Sequence, residues 1–315
     1  MFRLHHFYIF AKKSLMMLKF DLAISYKWIY DEEFVQLIED IFHRHGSTTF
    51  LIRNYNINEV IDRVNRKELQ FKAYLDRASD EDRAFEPISK LLQRHHCYLI
   101  NPHNKVLKAT DKSTMHKRLL KKKFRLPDTH LIPRYSQTQQ LKLNEYDLLQ
   151  LGSPFVIKPA VNSGGGEGVI RNAVSLQQII DERITHPNEK FLIQEKIKPR
   201  FFAGRRAWFR ILWAFNKAIP IWWDDQTHIY NIVTKKEIAR FNLLPLSRIT
   251  SKLARITNLD YFSTEIAVTK DHNFVMIDYV NDQCDMRLKS NHPDGVPNEV
   301  VSEFIERMRK KVFSL

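Results

Sequence analysis

The stretch Phe155 to Ile170, FVIKPAVNSGGGEGVI, constrains the fold more than any other part of the chain. It opens as an apolar strand that ends at Lys158-Pro159 and then runs into Gly164, Gly165, Gly166 and Gly168. The chain has 8 glycines, so half of them fall in one five-residue window, whereas a flexible linker would spread them out. Glycine reaches backbone angles closed to other residues and lets a ligand approach main-chain N–H groups. A lysine just upstream supplies a compact positive charge suited to phosphate. The stretch is therefore expected to be a loop that closes over nucleotide phosphates, against the plainer reading of a glycine-rich turn between strands. Two familiar phosphate motifs are excluded. No Lys-Ser/Thr follows the glycines, and Val169 stands where the third glycine of GxGxxG would be.

Charge points the same way. The 315 residues carry a formal net charge of +14, which favours anionic partners. The densest run, Lys117 to Arg125 (KRLLKKKFR), is interrupted by leucines and a phenylalanine, so it reads first as the polar face of a helix and only second as a nucleic-acid stripe. The 2 cysteines, Cys97 and Cys284, form no CxxC and suit a reducing cytoplasm, which is the expected location. His95, His96 and Cys97 are adjacent, which is poor spacing for zinc. The acid-free N-terminus is split by Lys12 and Lys13 into apolar runs too short to span a membrane, so it reads as an extension and no membrane partner is expected.

Along the chain, strands are predicted at 20–25, 48–52, 71–75 and 98–100. Amphipathic helices are predicted between them, with Phe34, Leu37, Ile38, Ile41 and Phe42 marking the first face. That alternation implies a small unit with a largely parallel sheet. Asp111 caps a helix running to about Lys123, and Ser175 with Gln178 forms a capping box for another. Residues 191–197, 205–213 and 218–223 read as strands. Tyr261 to Thr269 and Phe274 to Val280 read as a hairpin, and an amphipathic helix closes the chain.

The hairpin carries the acids. Glu265 and Asp278 sit on adjacent antiparallel strands that can bring them together, and Asn281 follows Asp278 by three residues. Two carboxylates and an amide are hard oxygen donors, suited to Mg²⁺ that also holds ATP phosphates.

Taken in order, these stretches resemble the ATP-grasp superfamily, from about Lys108 to Asn281, with the N-terminal unit in the place of that family's first subdomain. The resemblance implies an α/β fold: an ATP-grasp fold, two α+β subdomains clasping ATP, preceded by a small Rossmann-like parallel subdomain. It divides the chain into an extension (1–18), an N-terminal α/β unit (19–108), a central subdomain with the glycine-rich lid (109–190) and a C-terminal subdomain with the metal site (191–315). TDKSTM resembles the helix start whose lysine contacts ATP phosphates, which implies Lys112. The opening stretch resembles the second phosphate lysine and lid, which implies Lys158 and the four glycines. FLIQEKI resembles the hinge strand beside adenine, which implies Gln194, Glu195 and Ile197, with Met276 from the hairpin. RAWFRILW resembles the strand whose arginine binds the transferred phosphoryl group, which implies Arg210. Glu265, Asp278 and Asn281 take the place of the metal ligands, and Arg206 and Arg287 are candidate substrate contacts.

Two departures stand out. Glu265 occupies a position where the family usually has aspartate. Tyr279 occupies that of a glutamate, leaving Asp-x-x-Asn for the usual Glu-x-Asn. A regular strand would place Asp278 and Asn281 on opposite faces, so a bulge is expected between them, with Asp282 or Asp285 as other sources of the missing charge. The implied activity is an ATP-dependent ligase using Mg²⁺ or Mn²⁺ to join a carboxylate substrate to an amine through an acyl phosphate. The other readings are a small-molecule kinase on the same scaffold and a non-catalytic protein that binds ATP or nucleic acid, the last partner being less favoured.

Overall fold

The computed structural model describes residues 17–161 and 166–315. Gly164 and Gly165, and nearly all of the N-terminal extension, lie outside the described residues. The chain first alternates strand and helix: β1 (Leu18–Tyr26), α1 (Glu32–Arg44), β2 (Thr49–Ile52), α2 (Ile57–Asn65), β3 (Leu69–Arg77), α3 (Glu86–Arg94) and β4 (Tyr98–Ile100). Each connection is a crossover, so the four strands are parallel, in the order β2-β1-β3-β4. The sheet is buried on both faces, which explains the apolar run of β1. α1 covers one side with Phe34, Ile38, Ile41 and Phe42, and α2 and α3 cover the other.

Two short helices follow, α4 (His103–Thr110) and α5 (Lys112–Lys121). The break between them is set by Asp111, whose carboxylate accepts the Thr114 N–H at 3.0 Å and caps α5. Next come β5 (Thr129–Ile132), α6 (Glu145–Leu151), β6 (Phe155–Pro159), β7 (Ile170–Ala173), α7 (Leu176–Thr185) and β8 (Phe191–Glu195). Their antiparallel sheet has the order β5-β8-β6-β7, and α6 and α7 pack over it through Leu148, Leu151 and Ile179. β8 is an inner strand of this sheet.

The remaining chain forms β9 (Phe201–Phe202), β10 (Arg205–Arg206), β11 (Trp208–Ala214), β12 (Lys217–Trp223), β13 (Tyr230–Ile232), α8 (Lys235–Arg240), α9 (Leu244–Thr257), β14 (Tyr261–Val268), β15 (Phe274–Asn281) and α10 (Asn298–Phe313). A five-stranded antiparallel sheet in the order β13-β12-β11-β14-β15 dominates it. One face packs on α4, α5 and α9 through Met115, Leu119, Leu246 and Leu253. α10 returns to the N-terminal unit: the Phe304 ring meets Phe34, Phe215 and Tyr261 at centroid separations of 6.0, 5.8 and 5.4 Å. The three segments are thus interleaved, since α5 belongs to the core of the large sheet and α10 spans two sheets. Among the described residues no helix is long and apolar enough to cross a membrane.

Candidate active site

The hairpin β14–β15 places Glu265 directly opposite Asp278. Beyond that pair the register slips, so that Ser263 faces Asn281 and β15 holds one residue more than β14 over the same interval. This is the bulge that Asp-x-x-Asn spacing calls for. Burial follows it: Tyr279 and Val280 are enclosed, while Asp278, Asn281 and Glu265 are all half-buried. Tyr279 is not turned towards the acids. Its hydroxyl lies 2.6 Å from His116 Nδ1 and 3.2 Å from Gln194 Nε2, inside the core.

Three cations approach this acidic pair. Lys112 opens α5, and its backbone N–H is held by the Ala160 carbonyl at 2.8 Å, which ties the helix start to the end of β6. Its Nζ lies 3.5 Å from Asp278 Oδ1. Lys158, on β6, crosses between the two antiparallel sheets and donates from Nζ to the Ile277 carbonyl at 2.9 Å. Arg210 on β11 is the cross-strand neighbour of Glu265, and its Nη2 donates to the Glu265 carboxylate. Its Nη1 donates to the Tyr230 hydroxyl at 2.9 Å, and its guanidinium lies over the Trp223 ring at 4.3 Å. Trp208 Nε1 donates to the second Glu265 oxygen at 3.1 Å.

The electrostatics are those of a desolvated site with surplus positive charge. Burial pushes the Lys158 ammonium down to about 8, against the pull of Asp278 and with the help of Lys112. Burial alone would raise Asp278, but Lys112, Lys158 and Arg210 outweigh it and hold the carboxyl below its ordinary range. His116 is pushed down to about 4 by burial and by Lys158, so its imidazole is neutral at physiological pH. Asp278 Oδ1 is buried and makes no close hydrogen bond, its nearest donor being the Lys112 ammonium at 3.5 Å. A buried carboxylate oxygen so placed fits a divalent cation, and Glu265 and Asn281 complete a hard oxygen set. Among the described residues no three His, Cys, Asp or Glu side chains converge as a metal cage.

The glycine-rich stretch begins at the foot of this cluster. Gly166 and Gly168 both have positive φ, 86° and 67°, and a Cβ on Gly168 would approach Pro159 Cγ at 3.0 Å. Both features require glycine.

Other sequence candidates fall elsewhere. The Gln194 side chain is an internal strut, donating to Thr129 Oγ1 at 2.9 Å as well as contacting Tyr279. The Glu195 N–H binds the Asp128 carbonyl at 2.8 Å, and its half-buried carboxylate stands at the end of β8. Ile197 lies just past that strand, and Met276 is enclosed in the core of the large sheet with its N–H on the Arg125 carbonyl at 2.9 Å. Arg206 is held bidentately by Asp225 at 2.7 and 2.9 Å. Arg287 is held by Asp285 and Asp294, and so Asp285 is already matched. Asp282 is pushed up to about 7 by burial and by Asp80, so it is a weak source of charge near neutrality. The contacts of Tyr230, Trp208 and His116 were invisible in the sequence: their partners lie 20, 57 and 163 residues away, and even Trp208, inside RAWFRILW, carries no local sign of its role.

The two antiparallel sheets and the cluster between them define a nucleotide clasp. Residues 109–208 match the RimK-like ATP-grasp domain. Most of the chain also superimposes on solved ATP-grasp structures. A RimK-domain ATP-grasp protein from Sphaerobacter thermophilus aligns with TM-score 0.61 and 17% identity over 91% of this chain and 98% of that one. The D-alanine–D-alanine ligase of Bacillus anthracis, solved with ATP, aligns with TM-score 0.61 and 14% identity over 92% and 98%. The ATP-grasp ligase PsnB, solved with a minimal precursor, Mg and ADP, aligns with TM-score 0.59 and 10% identity over 92% and 98%. No curated protein matches the sequence. Residues 109–208 thus resemble a RimK-like ATP-grasp domain, and the chain as a whole shares the fold of these ATP-grasp structures.

Proposed function

We propose that the chain is an ATP- and Mg²⁺-dependent ligase that activates a carboxylate as an acyl phosphate and passes it to an amine. The observation that carries this reading is the convergence of Lys112, Lys158 and Arg210 on Glu265 and Asp278 at the foot of the glycine-rich stretch. Three cations against two carboxylates leave a desolvated site that calls for an anion. Lys112 and Lys158 would hold the phosphates as point charges, and Arg210, braced by Tyr230 and Trp223, would meet the charge spreading over the transferred phosphoryl group. Bound Mg²⁺ would neutralise phosphate charge from the side of Glu265, Asp278 and Asn281. The glycine-rich lid, of which Gly166 and Gly168 are among the described residues, would shield the acyl phosphate from water. The ATP and Mg–ADP bound to the two neighbouring ligases support this assignment of the cleft.

The test is turnover with a panel of carboxylates and amines, reading ADP and free phosphate together. A ligase releases both in equal amounts and only when carboxylate and amine are both present. ADP without phosphate would make the chain a kinase, and no turnover with any pair would remove the catalytic reading.

A further inference from the structure

Positive charge is treated differently in two parts of this molecule. On α2, α3 and α10 cations are matched along the helix: Arg63 with Glu59, Lys90 with Glu86, Arg307 with Glu303. α5 and α9 show none of this. Residues 112–125 and 241–259 contain no Asp or Glu. α5 and the turn after it expose Lys117, Arg118, Lys121, Lys122, Lys123 and Arg125. α9 presents Arg248, Lys252 and Arg255 at i, i+4 and i+7, on one helical face. Among the described residues no carboxylate lies within 4.0 Å of any of these cations. Asp111, at the head of α5, is used by the cap and by Lys190.

The two helices run antiparallel with their cations along a common seam. Arg118 Nη2 donates to the Ile256 carbonyl at 2.9 Å, and Lys252 Nζ donates to the Lys122 carbonyl at 2.5 Å. The Lys252 ammonium also sits 4.6 Å over the Phe124 ring. At its far end the seam opens into a cavity of about 440 Å³, walled by Lys123, Phe124, Arg125, Lys252, Asn242 and Asn273. α9 spans about 20 Å at 1.5 Å per residue, so the track is long and narrow.

We propose that this seam binds a single-stranded nucleic acid, its phosphates following the α5–α9 cations and a base entering the cavity. Unmatched lysines and arginines in a line fit a chain of phosphates. The walled end adds two amides able to reach base edges. A lipid surface is flat and would leave that cavity empty, although Leu107 and Leu120 stand exposed nearby and would be its natural contacts. This inference stands apart from ligase chemistry, because none of its residues belongs to the ATP cluster.

The probes are fluorescent 20-nucleotide single strands, oligo-U and oligo-dT, titrated with the full chain between about 50 and 300 mM salt. Binding should weaken steeply with salt, with log affinity falling by about 0.7 per phosphate contact for each log unit of salt. The variant K121A/K122A/R255A should lose at least about tenfold in affinity at low salt and about two units of slope. The control K19A/R44A/K67A removes three exposed charges from the N-terminal unit and should change neither beyond about twofold. Equal weakening in both variants would mean that net charge alone is responsible, and would overturn the proposal. So would tighter binding to anionic phosphatidylserine vesicles, or to poly-aspartate of equal charge, than to either oligonucleotide. A difference between oligo-U and oligo-dT identifies which strand the seam prefers and supports the proposal in either direction.

Discussion

Two buried ionic clusters in this protein differ in how they balance. In the N-terminal unit Arg77 meets Asp31 through two hydrogen bonds of 2.8 and 2.7 Å, and a third goes to the Cys284 carbonyl at 3.0 Å. One cation meets one carboxylate, both side chains are almost wholly enclosed, and Phe34 covers the guanidinium at 5.2 Å. In the clasp, three cations share two carboxylates, a buried Asp278 oxygen has only the Lys112 ammonium at 3.5 Å, and Lys158 is held with its ammonium destabilised by burial. The first arrangement matches its charges one to one, leaving only Arg77 Nη1 without a hydrogen-bond partner, and holds β3 to the loop before α1. The second has more cations than carboxylates, which suits an anionic ligand. Charge balance within a buried cluster thus separates a structural ion pair from a binding site more sharply than burial does.

The comparison breaks first on stability. Arg77→Ala leaves Asp31 charged and enclosed and should cost about 3–5 kcal/mol, read as a loss of denaturant midpoint. Lys158→Ala removes a cation from a cluster with too many, so its midpoint should hold or rise. A large loss from Lys158→Ala would show that the clasp is structural in the same sense as the Arg77 pair.

Activity should show the reverse pattern. Lys158→Ala should lower ATP turnover about a hundredfold, the usual scale for losing one preorganised charge in a phosphoryl-transfer site. If kcat/KM for ATP stays within twofold, Lys158 has no part in phosphate binding. Asp278→Asn should raise the Mg²⁺ concentration needed for half-maximal activity by about tenfold and, because it leaves three cations against one carboxylate, should also lower the denaturant midpoint. An unchanged Mg²⁺ titration would take Asp278 out of the metal site.

The smallest expected effect is on pH. Lys158 titrates near 8 in the folded chain against 10.5 as its ordinary value. The folded state therefore binds fewer protons than the unfolded one between those two values, so this group's contribution to stability improves as pH rises through that window. Binding runs the other way, because the ammonium that meets phosphate is lost above about 8. ATP affinity should fall severalfold between pH 7 and 9.5, and Lys158→Arg, whose charge persists, should flatten the fall. Parallel profiles for the two proteins would assign the pH dependence to another group.

Much of the local architecture was legible because local physics sets it. The hairpin was expected at 261–269 and 274–280 and runs 261–268 and 274–281, since β-prone, largely apolar runs flank the polar Lys270-Asp271-His272-Asn273 turn. The irregular Asp-x-x-Asn spacing pointed to a bulge for the same reason. α4 was not expected, because His103–Thr110 has only the adjacent Val106 and Leu107 as strong apolar positions, no helical repeat of them, and no side-chain cap. α8 was overlooked although Thr234 and Glu237 spell a capping box that would have found it. Other features belong to tertiary structure alone. The pairing of Arg206 with Asp225, the capture of Arg287 by Asp285 and Asp294, and the turning of Tyr279 onto His116 and Gln194 all depend on which strands become neighbours. Nothing in the residues themselves says whether an arginine is committed to a carboxylate or left for a ligand.

The central claim is that the five-residue charge cluster between the two antiparallel sheets grips the phosphates of ATP together with a metal. Its most direct test is a crystal structure of the chain with Mg²⁺ and a non-hydrolysable ATP analogue. The account predicts terminal phosphate oxygens within hydrogen-bond distance of Lys112 Nζ, Lys158 Nζ and Arg210, and the metal bound by the Glu265 and Asp278 carboxylates. Phosphates bound away from Lys158, or a metal held without Asp278, would contradict it.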